Sequence, residues 1–283
     1  MSDHPGAGRH REATRGIAPA AHRLSRRFDQ SPQTAATSST SPISRFSTYG
    51  RVAGLEALCR WSHPARGAIA PDVFIRVAEE TGLIVPLGNW VLDKACRQLS
   101  VWQQTVPGFA GIKLHENVSG VQLTQPGFAV HAQRVIADSG ICPADVTLEV
   151  TESVLIEKLS DALPNLLSLR EAGVQISIDD FGTGYSSLSA LQDLPIGEIK
   201  VDRSFLRRMG GGGKGEEVVR AIVAMGAALG KRVIAEGIET EAQLGTLVAL
   251  DCVRGQGYLL AHPMPSGDVE LMMKELRGYA VAA

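Results

Sequence analysis

The chain has 283 residues, 44 % hydrophobic and 20 % charged, with a formal net charge of -2; this is the profile of an ordinary soluble globular protein and gives no basis for a DNA or RNA polymer as partner. No apolar stretch of about 18 residues is present and the N-terminus has no apolar h-region, so neither a membrane span nor a standard secretory signal is expected. Cys59, Cys96, Cys142 and Cys252 lie far apart without a CxxC pair, which argues against a disulfide framework or a thiolate zinc site and for a cytoplasmic location.

Residues 1–40 contain six arginines, many Ser, Thr, Ala and Pro, and few large apolar side chains beyond Ile17, Leu24 and Phe28. Such a segment buries too little surface to offset its ordering entropy, so a disordered tail is expected there, with one globular unit over residues 41–283. From about residue 50 the chain alternates short apolar runs with helical patterns. The runs RVAGLEAL (51–58), GIKLHENV (111–118), DVTLEV (145–150), VQISIDD (174–180), GEIKVD (197–202), RVIAEG (232–237) and GQGYLL (255–260) read as strands. Between them, Pro71–Thr81 has Val73, Phe74, Val77 and Ala78 at helical spacing, with Pro71 near its start and Gly82 past its end. Leu163–Ala172 reads as a helix that delivers the chain into the strand at Val174. The segment EEVVRAIVAMGAALG presents Val218, Ile222, Met225 and Leu229 on one face and stops at Gly230. The glycine run Gly210–Gly213 lacks the GxxxxGK[ST] spacing of a phosphate loop and reads as a flexible connection.

Alternating strands and helices imply parallel strands with right-handed crossovers, in either a barrel or a doubly wound sheet. The strand ends decide between them. Each apolar run closes on a polar residue: Glu56, Asn117, Glu149, Asp179, Lys200, Glu236 and Gln256. In a barrel of about 250 residues these ends meet at one mouth, whereas an open sheet spreads them along an edge. Convergence therefore favours a (β/α) barrel.

Glu56, Glu149, Asp179, Asp180 and Glu236 brought together with one lysine repel one another unless cations join them. Their hard oxygen donors suit Mg2+ or Mn2+ better than zinc. Two cations sharing a carboxylate can activate a water and stabilise both oxygens of an in-line phosphoryl displacement. Consecutive strand residues point to opposite faces, so Asp179 and Asp180 reach one site only where the strand breaks, and the glycines of FGTG allow that break. Lys200 can orient the water or neutralise developing charge. His63 and His115, isolated from each other in sequence, read as satisfied polar residues and not as ligands. The stretch VTES could also be nothing more than a helix cap.

The segments EALCRW (56–61), EVTES (149–153), DDFGTGYSSL (179–188), IKVDRSF (199–205), AEGIE (235–239) and QGYLLAHPMP (256–265) resemble the EAL-domain family of cyclic di-GMP phosphodiesterases over about residues 41–275. The resemblance implies a TIM-like barrel with one antiparallel strand, and hydrolysis of cyclic di-GMP to linear pGpG with Mg2+ or Mn2+. It assigns Glu56, Asn117, Glu149 and Asp179 to one metal and Asp179, Asp180 and Glu236 to a second. Lys200 takes the place of the family's water-orienting lysine, Arg60 that of its phosphate contact, and Leu58 and Gln256 line the substrate or metal-water site. Glu152 matches the glutamate that holds the DFGTGYSSL loop, which the family uses at a homodimer interface.

Two departures carry further expectations. Thr40-Ser41-Pro42-Ile43 stand where the family has YQPI, and the helix before it is not recognisable. A degenerate first strand would open one wall of the barrel and expose an edge. The alternative that follows is a catalytically impaired module that binds cyclic di-GMP or a protein. Glu116 occupies a position that is usually apolar in the family, and alternation turns it away from Asn117 toward the helix layer, where an unpaired carboxylate is costly.

Overall fold

The computed structural model describes residues 43–48, 51–64, 66–184, 188–209 and 214–281. The expected tail over residues 1–40 and the glycine run at 210–213 lie outside the described residues. Ten strands are present among them: β1 (Ile43–Thr48), β2 (Arg51–Ala57), β3 (Trp61–His63), β4 (Gly67–Ile69), β5 (Lys113–Asn117), β6 (Val146–Thr151), β7 (Gln175–Phe181), β8 (Glu198–Val201), β9 (Arg232–Glu236) and β10 (Gly255–Gln256). Eight of them close a barrel in the order β1-β10-β9-β8-β7-β6-β5-β2.

Strand β1 runs antiparallel to both of its neighbours, β2 and β10, and the other contacts around the ring are parallel. The departure from the family pattern at residues 40–43 therefore does not cost the barrel a wall. Ile43 pairs with Ala57 and Thr48 with Arg51, with a register shift after Phe46. Backbone hydrogen bonds tolerate sequence change that side-chain contacts would not.

The strands alternate in a way that inverts the usual barrel. Leu114, Leu148, Val150, Ile176, Ile178, Ile199 and Val201 are buried on the outer face, where they join one apolar core with the helices. Helix Ile84–Thr105, which the periodicity reading passed over, contributes Val91, Leu92, Ala95, Cys96, Leu99 and Trp102 to that core. The inward positions are mostly polar: His115, Thr147, Glu149, Ser177, Glu198 and Lys200 are all buried. Cross-strand register places Asn117, Glu149, Ser177, Glu198 and Arg232 side by side around the ring, and paired residues share a face.

Helix Pro71–Glu80 begins with its proline in the first turn, and the chain beyond it turns at Gly82 in the left-handed region. The small hairpin β3–β4 precedes it, and Trp61 packs edge-on against both His63 and Phe74; His63 is a packed, half-buried residue as expected. The last strand is shorter than the run GQGYLL suggested. Its partner β9 ends at Glu236, and beyond Gln256 the N–H of Leu259 turns to the carbonyl of Ile238. No helix among the described residues is long and apolar enough to cross a membrane.

Glu116 points outward from β5, as alternation requires, and is 4 % exposed with no hydrogen-bond partner for Oε2. Burial, reinforced by Glu56 and Glu149, pushes its carboxyl well above the usual 4.5. A group whose pKa is raised by folding contributes stability that is complete below the unfolded value and is lost as pH rises through the folded one. Glu116→Gln is therefore expected to stabilise the protein at pH 8 by roughly 1 to 3 kcal/mol, the cost of an unsatisfied buried group. Melting curves should show the gain shrinking as pH falls toward 4.5; a gain independent of pH would mean that the carboxylate is already satisfied.

Candidate active site

The carboxyl ends of the parallel strands bring the predicted residues into one hydrogen-bonded group. Lys200, at the centre, is 1 % exposed, and its Nζ lies 2.7 Å from Glu149 Oε2, 2.7 Å from Glu236 Oε1, 3.5 Å from Asp179 Oδ1 and 3.9 Å from Glu56 Oε2. Asn117 Nδ2 donates to Glu56 Oε1 at 2.8 Å. Gln256 Nε2 donates to Glu56 Oε2 at 3.2 Å and also to Glu236 Oε1. Residues from seven strands thus form a single network.

Its charges do not balance. Burial works against the ammonium of Lys200, yet Glu149, Glu236, Glu56 and Asp179 together outweigh it and hold the group well above its ordinary range. Burial also pushes Glu149 and Glu236 well above the usual carboxylate range; Lys200 opposes the shift and the neighbouring acids reinforce it. One ammonium among so many carboxylates leaves them short of positive charge.

Asp179 and Asp180 share the site because the strand breaks between them and Phe181. Pairing of β7 with β8 shifts between Ile178 and Phe181, and Asp180 itself adopts φ 54°. The break was expected from the glycines alone, but the aspartate takes the first left-handed step and Gly182, at φ 96°, the next. Aspartate is among the few non-glycine residues that tolerate this region. As a result, oxygens of Asp179, Asp180 and Glu236 all lie within 4.8 Å of one another, close enough to hold one cation. Burial, then repulsion from Asp179 and Asp202, raises the Asp180 carboxyl to about 6.

Glu152 is 2 % exposed and begins helix Glu152–Glu157, but its carboxylate does not cap that helix. Oε2 accepts from the backbone N–H of Gly182 at 2.8 Å and of Gly184 at 3.1 Å. Thr151, the residue before the helix, makes no capping bond either. The VTES stretch therefore ties the loop after Asp180 to β6; residues 185–187 of that loop, where the dimer expectation falls, lie outside the described residues.

A cavity of about 330 Å³ opens over this network, lined by Glu56, Leu58, Arg60, Asp180, Glu236 and Gln256. Arg60 is exposed, with Nη1 on its neighbour's carbonyl, Cys59 O, at 2.9 Å. Asp202, Arg203 and Tyr258 also line it and escaped the sequence reading. Tyr258, 59 % exposed, stacks on His262 with ring centroids 4.6 Å apart. The QGYLLAHPMP motif held both residues, but nothing in their spacing signalled the stack.

His115 is a satisfied polar residue as expected, but its partner at the mouth was not foreseen. It is 3 % exposed, and Nδ1 lies 2.9 Å from Glu149 Oε1. Burial pushes its imidazole down to about 4, so the ring is neutral at pH 7. Alternation along β5 was the available signal: residues 115 and 117 share the inward face. The oxygen-only donor set, its shortage of positive charge and the spacing of Asp179, Asp180 and Glu236 fit a hard divalent cation.

Residues 41–263 match the family described as EAL domain. The bifunctional diguanylate cyclase/cyclic di-GMP phosphodiesterase MucR of Pseudomonas aeruginosa is 43 % identical over 217 residues, 77 % of this chain and 31 % of MucR. The cyclic di-GMP phosphodiesterase NbdA of the same organism is 39 % identical over 228 residues, 81 % of this chain and 29 % of NbdA. The chain spans about a third or less of these relatives. Among solved structures, the MucR phosphodiesterase in complex with c-di-GMP superposes with a TM-score of 0.77 at 40 % identity, covering 81 % of this chain and 92 % of that one. The EAL domain of Mycobacterium smegmatis DcpA gives 0.70 at 35 % identity, over 83 % of this chain and 96 % of that one. With a matched region that covers most of the sequence and carries every residue of the mouth, the chain belongs to the EAL domain family.

Proposed function

We propose that this chain hydrolyses cyclic di-GMP to linear pGpG in a metal-dependent reaction, in the cytoplasm, where its free cysteines stay reduced. The observation that carries the reading is the convergence of four carboxylates from four strands on Lys200, with Asp180 beside them and a cavity above. Relatives named as cyclic di-GMP phosphodiesterases support the choice of substrate. Strand β1 pairs on both sides, which supports an active barrel over the impaired module.

Glu56, Asn117, Glu149 and Asp179 would hold one Mg2+ or Mn2+, and Asp179, Asp180 and Glu236 a second. The ions supply a more acidic water and charge to offset the phosphoryl oxygens. The chain's own groups do the rest. Arg60, free to swing from the Cys59 carbonyl, grips the phosphate with its guanidinium fork. Tyr258 offers a ring face at the rim on which a base can stack. Lys200 orients the water for in-line attack, and Asp180 or Glu236 takes its proton. The new bond joins the water oxygen to phosphorus, the bond from phosphorus to the ribose O3′ breaks, and the leaving oxygen is protonated to give the 3′-hydroxyl of pGpG. Gln256 fixes Glu56 and Glu236 relative to each other. Glu152 holds the loop that carries Asp180.

Purified protein with Mn2+ is expected to convert cyclic di-GMP to pGpG, and Glu56→Ala or Asp179→Ala to lower kcat by at least about 10²-fold while retaining a cooperative melt. Absence of turnover at high enzyme concentration, or variants as fast as the parent, would sink the reading. A second expectation concerns stability. Folding raises the carboxyl pKa of Glu149, Glu236 and Asp180 above 4.5, 4.5 and 3.8. The stability they contribute is complete below those values and drains away as pH rises through their folded pKa, about 6 for Asp180. Mn2+ binds the ionised forms, so its addition should raise Tm more at pH 7.5 than at pH 5. An equal shift at both values would place the ion elsewhere.

A further inference from the structure

The Glu149 carboxylate sits between two partners, Lys200 Nζ at 2.7 Å on Oε2 and His115 Nδ1 at 2.9 Å on Oε1. Both contacts are almost completely shielded from water, with the three side chains between 0 % and 4 % exposed. Lys200 is shared with three other acids, so its hold on Glu149 does not define one orientation. The imidazole makes a contact of a different kind: a rigid ring with one nitrogen on one oxygen.

The ring has little freedom to leave that position. A Cβ on Gly54, the β2 residue beside it, would approach His115 Cδ2 to 3.1 Å and Nε2 to 3.2 Å, so the glycine makes room that the ring fills. Thr147 pairs with His115 across β6 in register.

We propose that His115 is a positioning residue for metal binding: its Nδ1–H holds the Glu149 carboxylate in the orientation in which it receives the ion. The proposal rests on the reading of Glu149 as a metal ligand. Partners of this sort, placed behind the ligands, fix ligand orientation and affect metal affinity by roughly 10- to 100-fold.

Two variants of similar size separate hydrogen bonding from space filling. In His115→Asn the side-chain amide nitrogen falls where Nδ1 stands, and in His115→Gln it falls one bond further out. Mn2+ affinity, read from the EPR signal of free Mn2+ without substrate, should stay within about threefold of the parent for His115→Asn and weaken about tenfold or more for His115→Gln. For His115→Gln, kcat should recover at saturating Mn2+ and KM for cyclic di-GMP should not move. A Gln variant that binds Mn2+ like the parent, or an Asn variant as weak as Gln, overturns the proposal. Glu149→Ala, measured alongside, must lose affinity too. If it does not, Glu149 is no ligand and the reading beneath the proposal fails; if it does while His115→Gln binds normally, only the role of His115 fails.

Discussion

Lys200 places one ammonium group within 3.9 Å of four carboxylates that arrive on four different strands, and the geometry of the mouth follows from that concentration of charge. Removing either side of a buried pair leaves an uncompensated charge, at a cost of about 3 to 5 kcal/mol. The acids cannot relax outward, because each sits on a strand fixed by its neighbours in the ring. Nor can the lysine neutralise them all. The arrangement is stable enough to persist and short enough of positive charge to favour a cation.

The same constraint explains why the interior of the barrel is polar. A ring of strands whose upper layer is acidic requires inward side chains below it that tolerate the field. His115, Ser177 and Glu198 fill those positions, and Glu198 is balanced by Arg232 at 2.8 Å and Arg254 at 3.3 Å. Apolar burial, which normally fills barrel interiors, is moved outward to the layer between strands and helices. Stability and chemistry therefore occupy opposite faces of the same strands. Glu116 is the exception, an acid on the face given over to packing.

How far the sequence carried the reading depended on period and position. Strands β2 and β5 to β9 were legible because each is an apolar run closing on a polar residue. The convergence of those residues was legible because only a closed ring brings seven strand ends to one place. Helix Ile84–Thr105 was passed over: its 22 residues contain Pro86 and Gly88, which punctuate the pattern, while its burial stripe is set by tertiary packing. The hairpin β3–β4 is only three residues a side, below what alternation can signal. His115 was set aside because it has no histidine partner in sequence, although its real partner, Glu149, lies on the next strand. Asp180 shows a different limit, since nothing local announces that an aspartate rather than the following glycine takes the left-handed conformation.

The closing of the ring by β1 has a consequence for the order in which the protein is made. The Gln256 amide reaches Glu56 across 200 residues of sequence, and the strand between them in the ring is β1, paired with β2 on one side and β10 on the other. Loop-closure entropy for such distant partners must be met before their contact rewards it. A growing chain emerging from the ribosome thus holds all five acids of the mouth before it holds the amide that braces two of them. The mouth is complete only when the tenth strand arrives, so its hydrogen-bonded network is itself a sign that the whole ring has closed.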